Sequence, residues 1–255
     1  MAPILSSQDP NMTQAANSLE PPSSRHLLGT DDMGRDVLIR ILYGGRASLT
    51  VGFLSALVSL VVGIVIGSTA GYYSGLLDSV LMRLTDLFLS FPSLFVVLVV
   101  NLLLRETQMS FLRTGIIPVT IVIGSISWME LARLVRASFL SLGKKDFVEA
   151  ARALGAKNSW IASRHILPNS LAPIIVNSTL LVSSSILMES GLSYLGFGVQ
   201  PPTATWGNML NRTQTHFYAA PWLGIFPGLM ICFTVVAINF IGDGLRDMFD
   251  PYTVY

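Results

Sequence analysis

Lys144-Lys145-Asp146-Phe147-Val148-Glu149-Ala150-Ala151-Arg152-Ala153-Leu154-Gly155, running on to His165-Ile166-Leu167-Pro168, is a polar, basic interval set between two apolar stretches. Glu149 to Leu154 are strong helix formers. Gly155 suits a left-handed helix cap, and Asn158-Ser159 suits the start of a second helix, with Trp160, Ile161 and Ile166 as its apolar positions. Pro168 marks entry to the next apolar stretch. The pattern predicts a helical hairpin that offers a small apolar and charged knob to a partner's groove. The alternative is an amphipathic loop lying on a membrane.

Outside this interval the chain reads as membrane. Hydrophobic residues make up 51% and charged residues 12% of the sequence, about half the charged share of a soluble domain. No charged residue falls between Arg46 and Asp78, Asp86 and Arg105, Arg113 and Glu130, Arg164 and Glu189, or Arg212 and Asp243. Each gap is long enough for the ~20 apolar residues of a membrane helix, which predicts spans at roughly 48–72, 87–104, 115–136, 171–190 and 221–242. An all-α, polytopic helix bundle follows.

Orientation follows from Lys and Arg. Arg133, Arg136, Lys144, Lys145, Arg152, Lys157 and Arg164 flank or occupy the 140–170 loop, against Glu130, Asp146 and Glu149. That loop is therefore expected on the cytoplasmic side, and alternation puts Arg83, Arg246 and the 244–255 tail there too. Arg105, Arg113 and Arg212 fall outside, as does the 1–45 arm. The arm conflicts with this reading, because Arg25, Arg35, Arg40 and Arg46 lie on it with no apolar segment ahead to carry them across.

Several local features carry packing rather than chemistry. Residues 1–30 are rich in Ser, Pro, Asn and Gln and predict an irregular arm. Gly34 to Tyr43 reads as an amphipathic interfacial helix leading into the first span. Gly63, Gly67 and Gly71, four apart, put a smooth face on that span for a neighbouring helix. Phe91-Pro92 and Ile117-Pro118 predict bends. Glu130 and Arg133 are spaced to pair on one helix face. Glu189 lies near the outer end of the fourth span, where a solvated or capping role is as good a reading as a functional one. Trp206, His216, Phe217, Tyr218 and Trp222 follow that span as interfacial aromatics. Cys232 lies inside the last span as a small packing residue, with no partner for a disulfide.

Catalytic and cofactor signals are weak throughout. Gly155-Ala156-Lys157 lacks the rest of a phosphate-binding loop. His26, His165 and His216 sit in different loops without metal-ligand spacing. Ser183-Ser184-Ser185 has no nearby His and reads as hydroxyls bonding back to the backbone. The near-neutral net charge of +1 gives no support for nucleic acid. No enzyme activity, cofactor or metal is expected of this chain.

From about His26 to Asp250 the chain resembles the inner-membrane permease subunits of the dipeptide, oligopeptide and nickel ABC importers. The resemblance rests on His26-Leu27-Leu28-Gly29-Thr30-Asp31-Asp32-Met33-Gly34-Arg35-Asp36-Val37-Leu38, on Leu84-Thr85-Asp86 with Phe91-Pro92, and on Glu149-Ala150-Ala151 with Gly155 and Leu167-Pro168. It continues in Leu195-Gly196-Phe197-Gly198-Val199-Gln200-Pro201-Pro202 and in Gly242-Asp243-Gly244-Leu245-Arg246-Asp247. It implies a type I importer in the cytoplasmic (inner) membrane. A second, homologous permease completes the pore, two ATPase subunits dock on the so-called EAA loops, and an external solute-binding protein delivers the substrate. ATP-driven closure of the ATPases would swing the helices from inward-open to outward-open. Carried over by position, Glu149, Ala150, Ala151, Gly155, Ala156, Leu167 and Pro168 are the expected ATPase contacts. His165 departs from the pattern, since the usual Ile is displaced to Ile166.

The resemblance favours peptides as substrate, with nickel or another small solute as the alternative. A non-transporting assembly or regulatory protein is the competing class. A secondary transporter would call for acids at mid-span, and an intramembrane hydrolase for an acid–base pair within the spans. Family members usually carry one more helix before the arm, and Ala2 to Pro10 resembles the segment just after it. A further N-terminal span is therefore expected in the native product.

Overall fold

Asp36 starts the longest helix of the protein. Its carboxylate accepts a hydrogen bond from the backbone N–H of Ile39 at 3.2 Å, the usual service of an Asp cap to the free donors of a first turn. The computed structural model describes residues 9–107 and 115–249. In it α1 runs unbroken over Val37–Tyr73, about 55 Å at 1.5 Å per residue. The expected interfacial helix and first span are thus one rod. Asp36→Ala also removes the carboxylate that meets His26 at 2.8 Å. It is expected to cost about 1 kcal/mol, read as a lower melting midpoint in detergent. An unchanged midpoint would speak against the cap.

Past Ser74 and Gly75, both at positive φ, the chain turns into α2 (Gly75–Leu89) and α3 (Ser93–Arg105). These meet at 87°, so the expected bend at Phe91-Pro92 is a sharp break, in a pass that begins earlier than the expected 87–104. Pro92 explains the break, since it has no N–H to continue the helix and disfavours helical backbone at Phe91. The next pass is also broken, as α4 (Ile116–Ile126) and α5 (Met129–Leu142) at 44°. Pro118 is not the cause, because it lies in the first turn of α4, where a missing donor costs nothing. The bend falls at Ser127-Trp128, and local side chains take up carbonyls there. Ser127 Oγ donates to Ile123 O at 2.9 Å, and Trp128 Nε1 donates to Ser125 O at 2.9 Å.

The 140–170 loop forms α6 (Asp146–Ala153), α7 (Asn158–Ile161), one π-helical turn (Ala162–Ile166) and α8 (Leu167–Asn169). α9 (Leu171–Tyr194), α10 (Trp206–His216) and α11 (Trp222–Phe249) complete the bundle. α1, α9 and α11 are each long and apolar enough to cross a membrane, and the count reaches five if each bent pair is one span. The expected five-span bundle stands in that sense.

Contacts fix the directions of the passes. Ser55 and Ser59 on α1 donate to Thr120 O and Gly124 O at 3.1 and 2.9 Å, so α4 and α5 run parallel to α1. Ser48 meets Glu189, and Ser183 meets Asn239, so α9 runs antiparallel to both α1 and α11. The arm therefore gathers at one end of the bundle and the 140–170 loop at the other.

The arm holds its own counter-charges. Asp31 pairs with Arg35 at 2.7 Å and with Arg40 at 3.6 Å, while Asp32 pairs with Arg212 at 2.5 Å. Arg35 and Arg40 are buried in this cluster. A count of cations alone had made the arm strongly basic, and the acids beside them offset that. Trp222 Nε1 donates to Thr30 O at 3.1 Å and pins the arm over the start of α11.

Four further expectations change. Glu189 is fully buried rather than interfacial, accepting from Ser48 Oγ at 3.2 Å and Ser193 Oγ at 2.6 Å. Arg133 pairs with Asp86 rather than with Glu130, because α2 lies alongside α5 and presents Asp78 and Asp86 to Arg136 and Arg133. Trp206 is buried at the head of a helix instead of lying in an interfacial loop. Thr205 caps that helix, and Trp206 Nε1 donates to Ile41 O at 3.0 Å. Cys232 is exposed on α11 rather than packed.

Candidate functional site

α6 ends in a tight turn. Gly155 has φ +79°. Its N–H donates to Arg152 O, and that of Ala156 donates to Ala151 O, both at 3.1 Å. This is the Schellman pattern, in which one left-handed residue closes the helix by two reversed bonds. A Cβ on Gly155 would meet nothing within 4 Å. The backbone requires the glycine, and no neighbour within the chain crowds it.

The hairpin has a buried side and a presented side. Val148, Ala151, Ile161 and Ile166 are buried and belong to the same apolar core as Leu131, Val135 and Phe139 of α5 and Ile174 of α9. Full burial of each Ile is worth about 1.5–3 kcal/mol, so the loop is packed onto the bundle. Glu149, Ala150 and Gly155 are exposed, as are Arg152 and Lys157, and Leu154 stands 89% open. An apolar side chain left that bare in a ring of charge is a feature of a docking surface.

Of the seven expected contacts, Glu149, Ala150, Gly155 and Pro168 are exposed, Ala156 and Leu167 are half-buried, and Ala151 faces inward. Pro168 lies two residues past the end of the π-helical turn. His165 fills the anomalous position between two aromatic rings. Its ring centroid is 4.7 Å from that of Trp160, edge-on, and 6.3 Å from that of Phe147.

Gly63, Gly67 and Gly71 all face α5. A Cβ on Gly63 would sit 2.9 Å from Leu131 Cδ2, one on Gly67 2.7 Å from Val135 Cβ, and one on Gly71 2.6 Å from Phe139 Cβ. One residue beyond this stripe, Tyr72 Oη donates to Asn158 Oδ1 at 2.9 Å. The glycine stripe and the hairpin thus meet at the loop end of α1. Sequence reading missed Tyr72, its bond to Asn158 and the ring stack on His165. The sign available was a pair of tyrosines closing an otherwise apolar run.

A helix bundle of about five passes that carries a structured, amphipathic hairpin on one end is the build of a transporter's membrane subunit. The chain belongs to the family described as the inner membrane component of binding-protein-dependent transport systems, which matches residues 63–254. It is therefore a permease subunit of the ABC importer type.

The chain is 42% identical over 250 residues to the dipeptide transport system permease protein DppC of Alkalihalophilus pseudofirmus, covering 98% of this chain and 80% of that protein. It is 42% identical over 243 residues to the oligopeptide transport system permease protein OppC of Haemophilus influenzae, covering 95% and 75%. Over 232 residues it is 41% identical to the glutathione transport system permease protein GsiD of Pectobacterium atrosepticum, covering 91% and 74%. In fold it resembles an inward-facing structure of the MetNI methionine ABC transporter, with TM-score 0.67 at 17% identity, over 83% of this chain and 96% of that one.

Proposed function

We propose that this chain is one of two homologous permease subunits of a peptide importer in the cytoplasmic membrane. ATPases dock on the 140–170 hairpin, and an external binding protein delivers the peptide at the arm end. The chain itself carries no catalytic step. One observation carries the reading. The bare face of the hairpin, with Glu149, Ala150, Leu154 and Gly155, stands on a base that shares its core with α5 and α9, so a push on the knob is felt by the spans. Peptide as cargo is supported by the names of the dipeptide, oligopeptide and glutathione permeases that match nearly the whole chain.

The test is reconstitution of this permease with its partner permease, ATPases and binding protein in vesicles. Peptide-dependent ATP hydrolysis together with peptide uptake is the expected result. Hydrolysis without movement of any solute would favour the assembly or regulatory reading. A reporter fused after Lys157 is expected on the cytoplasmic side, and a reporter signal from the outer side would reverse the orientation.

A further inference from the structure

Two helix breaks and the middle of α9 face one another inside the bundle. Between them lies a cleft of about 190 Å³ lined by Phe88, Phe91, Ser93, Ser127, Glu130 and Ser184, with Met129 and Met188 also in its wall. Each segment is near the midpoint of its pass, so the cleft lies at the depth where a solute must leave water's support. Glu130 stands out there. Asp78 and Asp86 are held by Arg136 and Arg133, and Glu189 is enclosed by hydroxyls. Glu130 is exposed in the cleft with no ion pair or hydrogen bond to its carboxylate among the described residues. An ionisable residue within a span marks a solute path by default, and broken helices at mid-depth are where transporters bind.

We propose that this cleft receives the alkylammonium group of the translocated peptide, with Glu130 as its counter-ion. The proposal rests on the peptide-importer reading above. A carboxylate in a cleft walled in part by Phe88, Phe91 and Met188 attracts a cation more strongly than it would in open water. The faces of Phe88 and Phe91 add the same preference. Ser93 and Ser184, both exposed, supply oxygens that accept from the remaining ammonium protons. The methionines and phenylalanines suit a side chain of almost any apolar shape, as a path for varied peptides requires. Two sources share the chemistry, the amino terminus of a peptide and a lysine side chain.

The first experiment needs no peptide. Ser184→Cys is introduced with Cys232→Ala, and the assembled transporter is treated with a cationic aminoethyl thiosulfonate or its neutral methyl counterpart. The expected ratio of cationic to neutral rates is about tenfold higher with Glu130 than with Glu130→Gln, the factor that about 1.4 kcal/mol gives. Equal ratios in the two backgrounds overturn the proposal.

Uptake then separates the sources. If the amino terminus sits in the cleft, Glu130→Gln lowers uptake of a lysine-free peptide with a free amino terminus by about tenfold. If the side chain sits there, only lysyl peptides suffer. Unchanged uptake of both also overturns the proposal. A wild-type transporter that moves neither peptide sinks the peptide reading instead, and the thiol rates alone then decide the cleft.

Discussion

Gly155→Asp is expected to abolish uptake, with a loss well beyond tenfold, while the protein still reaches the membrane in normal amount. Two effects act at one residue. The left-handed backbone at φ +79° costs a side-chain residue about 1–2 kcal/mol, which the bundle can absorb because the added Cβ touches nothing. The larger effect is a new carboxylate, next to exposed Leu154, on the surface proposed to enter the ATPase groove. An unpaired charge buried at an interface costs several kcal/mol, and each 1.4 kcal/mol is a factor of ten in binding. Gly155→Asn tolerates the same backbone without the charge and is expected to keep much of the activity. Measured uptake and co-purification of the ATPase decide it. Normal uptake by the Asp variant would remove the hairpin from the coupling path.

Gly67→Leu is expected to lose the folded bundle itself. The first added carbon would lie 2.7 Å from Val135 Cβ and within van der Waals overlap of the Ala132 carbonyl oxygen. A side chain can rotate aside, but a helix carbonyl cannot. Overpacking costs typically 1–3 kcal/mol and more when backbone must move, so about 3 kcal/mol or more is expected here. Against a total of roughly 5–15 kcal/mol for a folded domain, that is enough to cut yield and lower the melting midpoint sharply. Gly228→Ala is the control, since its Cβ meets nothing within 4 Å and it removes a glycine from a helix. If the two variants melt alike, close approach of α1 and α5 is not what the glycine provides.

The helical passes were legible because charge-free gaps and lipid thickness set the same length scale. The hairpin was legible because Gly155, Asn158 and Pro168 punctuate a helix-forming run. Departures arose where tertiary partners decide. Pro92 showed a bend but not one of 87°, and nothing local to Ser127-Trp128 competes with the strong apolar pattern on either side. Glu189 lay close enough to a span end to read as solvated. Ser48 lies 141 positions away from it along the chain, and no local pattern links the two. Arg133 had a partner in plain view at Glu130 and found another through the fold. Of the seven expected hairpin contacts, Ala151 is the one that faces the core, because it lies three residues after Val148 on the single stripe of α6 that is buried.

The length of α1 bears on the surrounding lipid. From Ala47 to Tyr73 the helix carries no charge, a stretch of about 40 Å at 1.5 Å per residue, against a hydrocarbon layer of about 30 Å. A rod of that length does not stand upright without exposing greasy surface to water, so it must lean or the bilayer must thicken around it. α4 and α5 run parallel to it, α5 pressed against its glycine face and α4 set close to it at Gly124, so they lean with it. In reconstitution, thin-membraned vesicles would increase the lean and thick ones would right it. Acyl-chain length thus becomes a way to set the angle at which the hairpin is held at its end of the bundle without changing a residue.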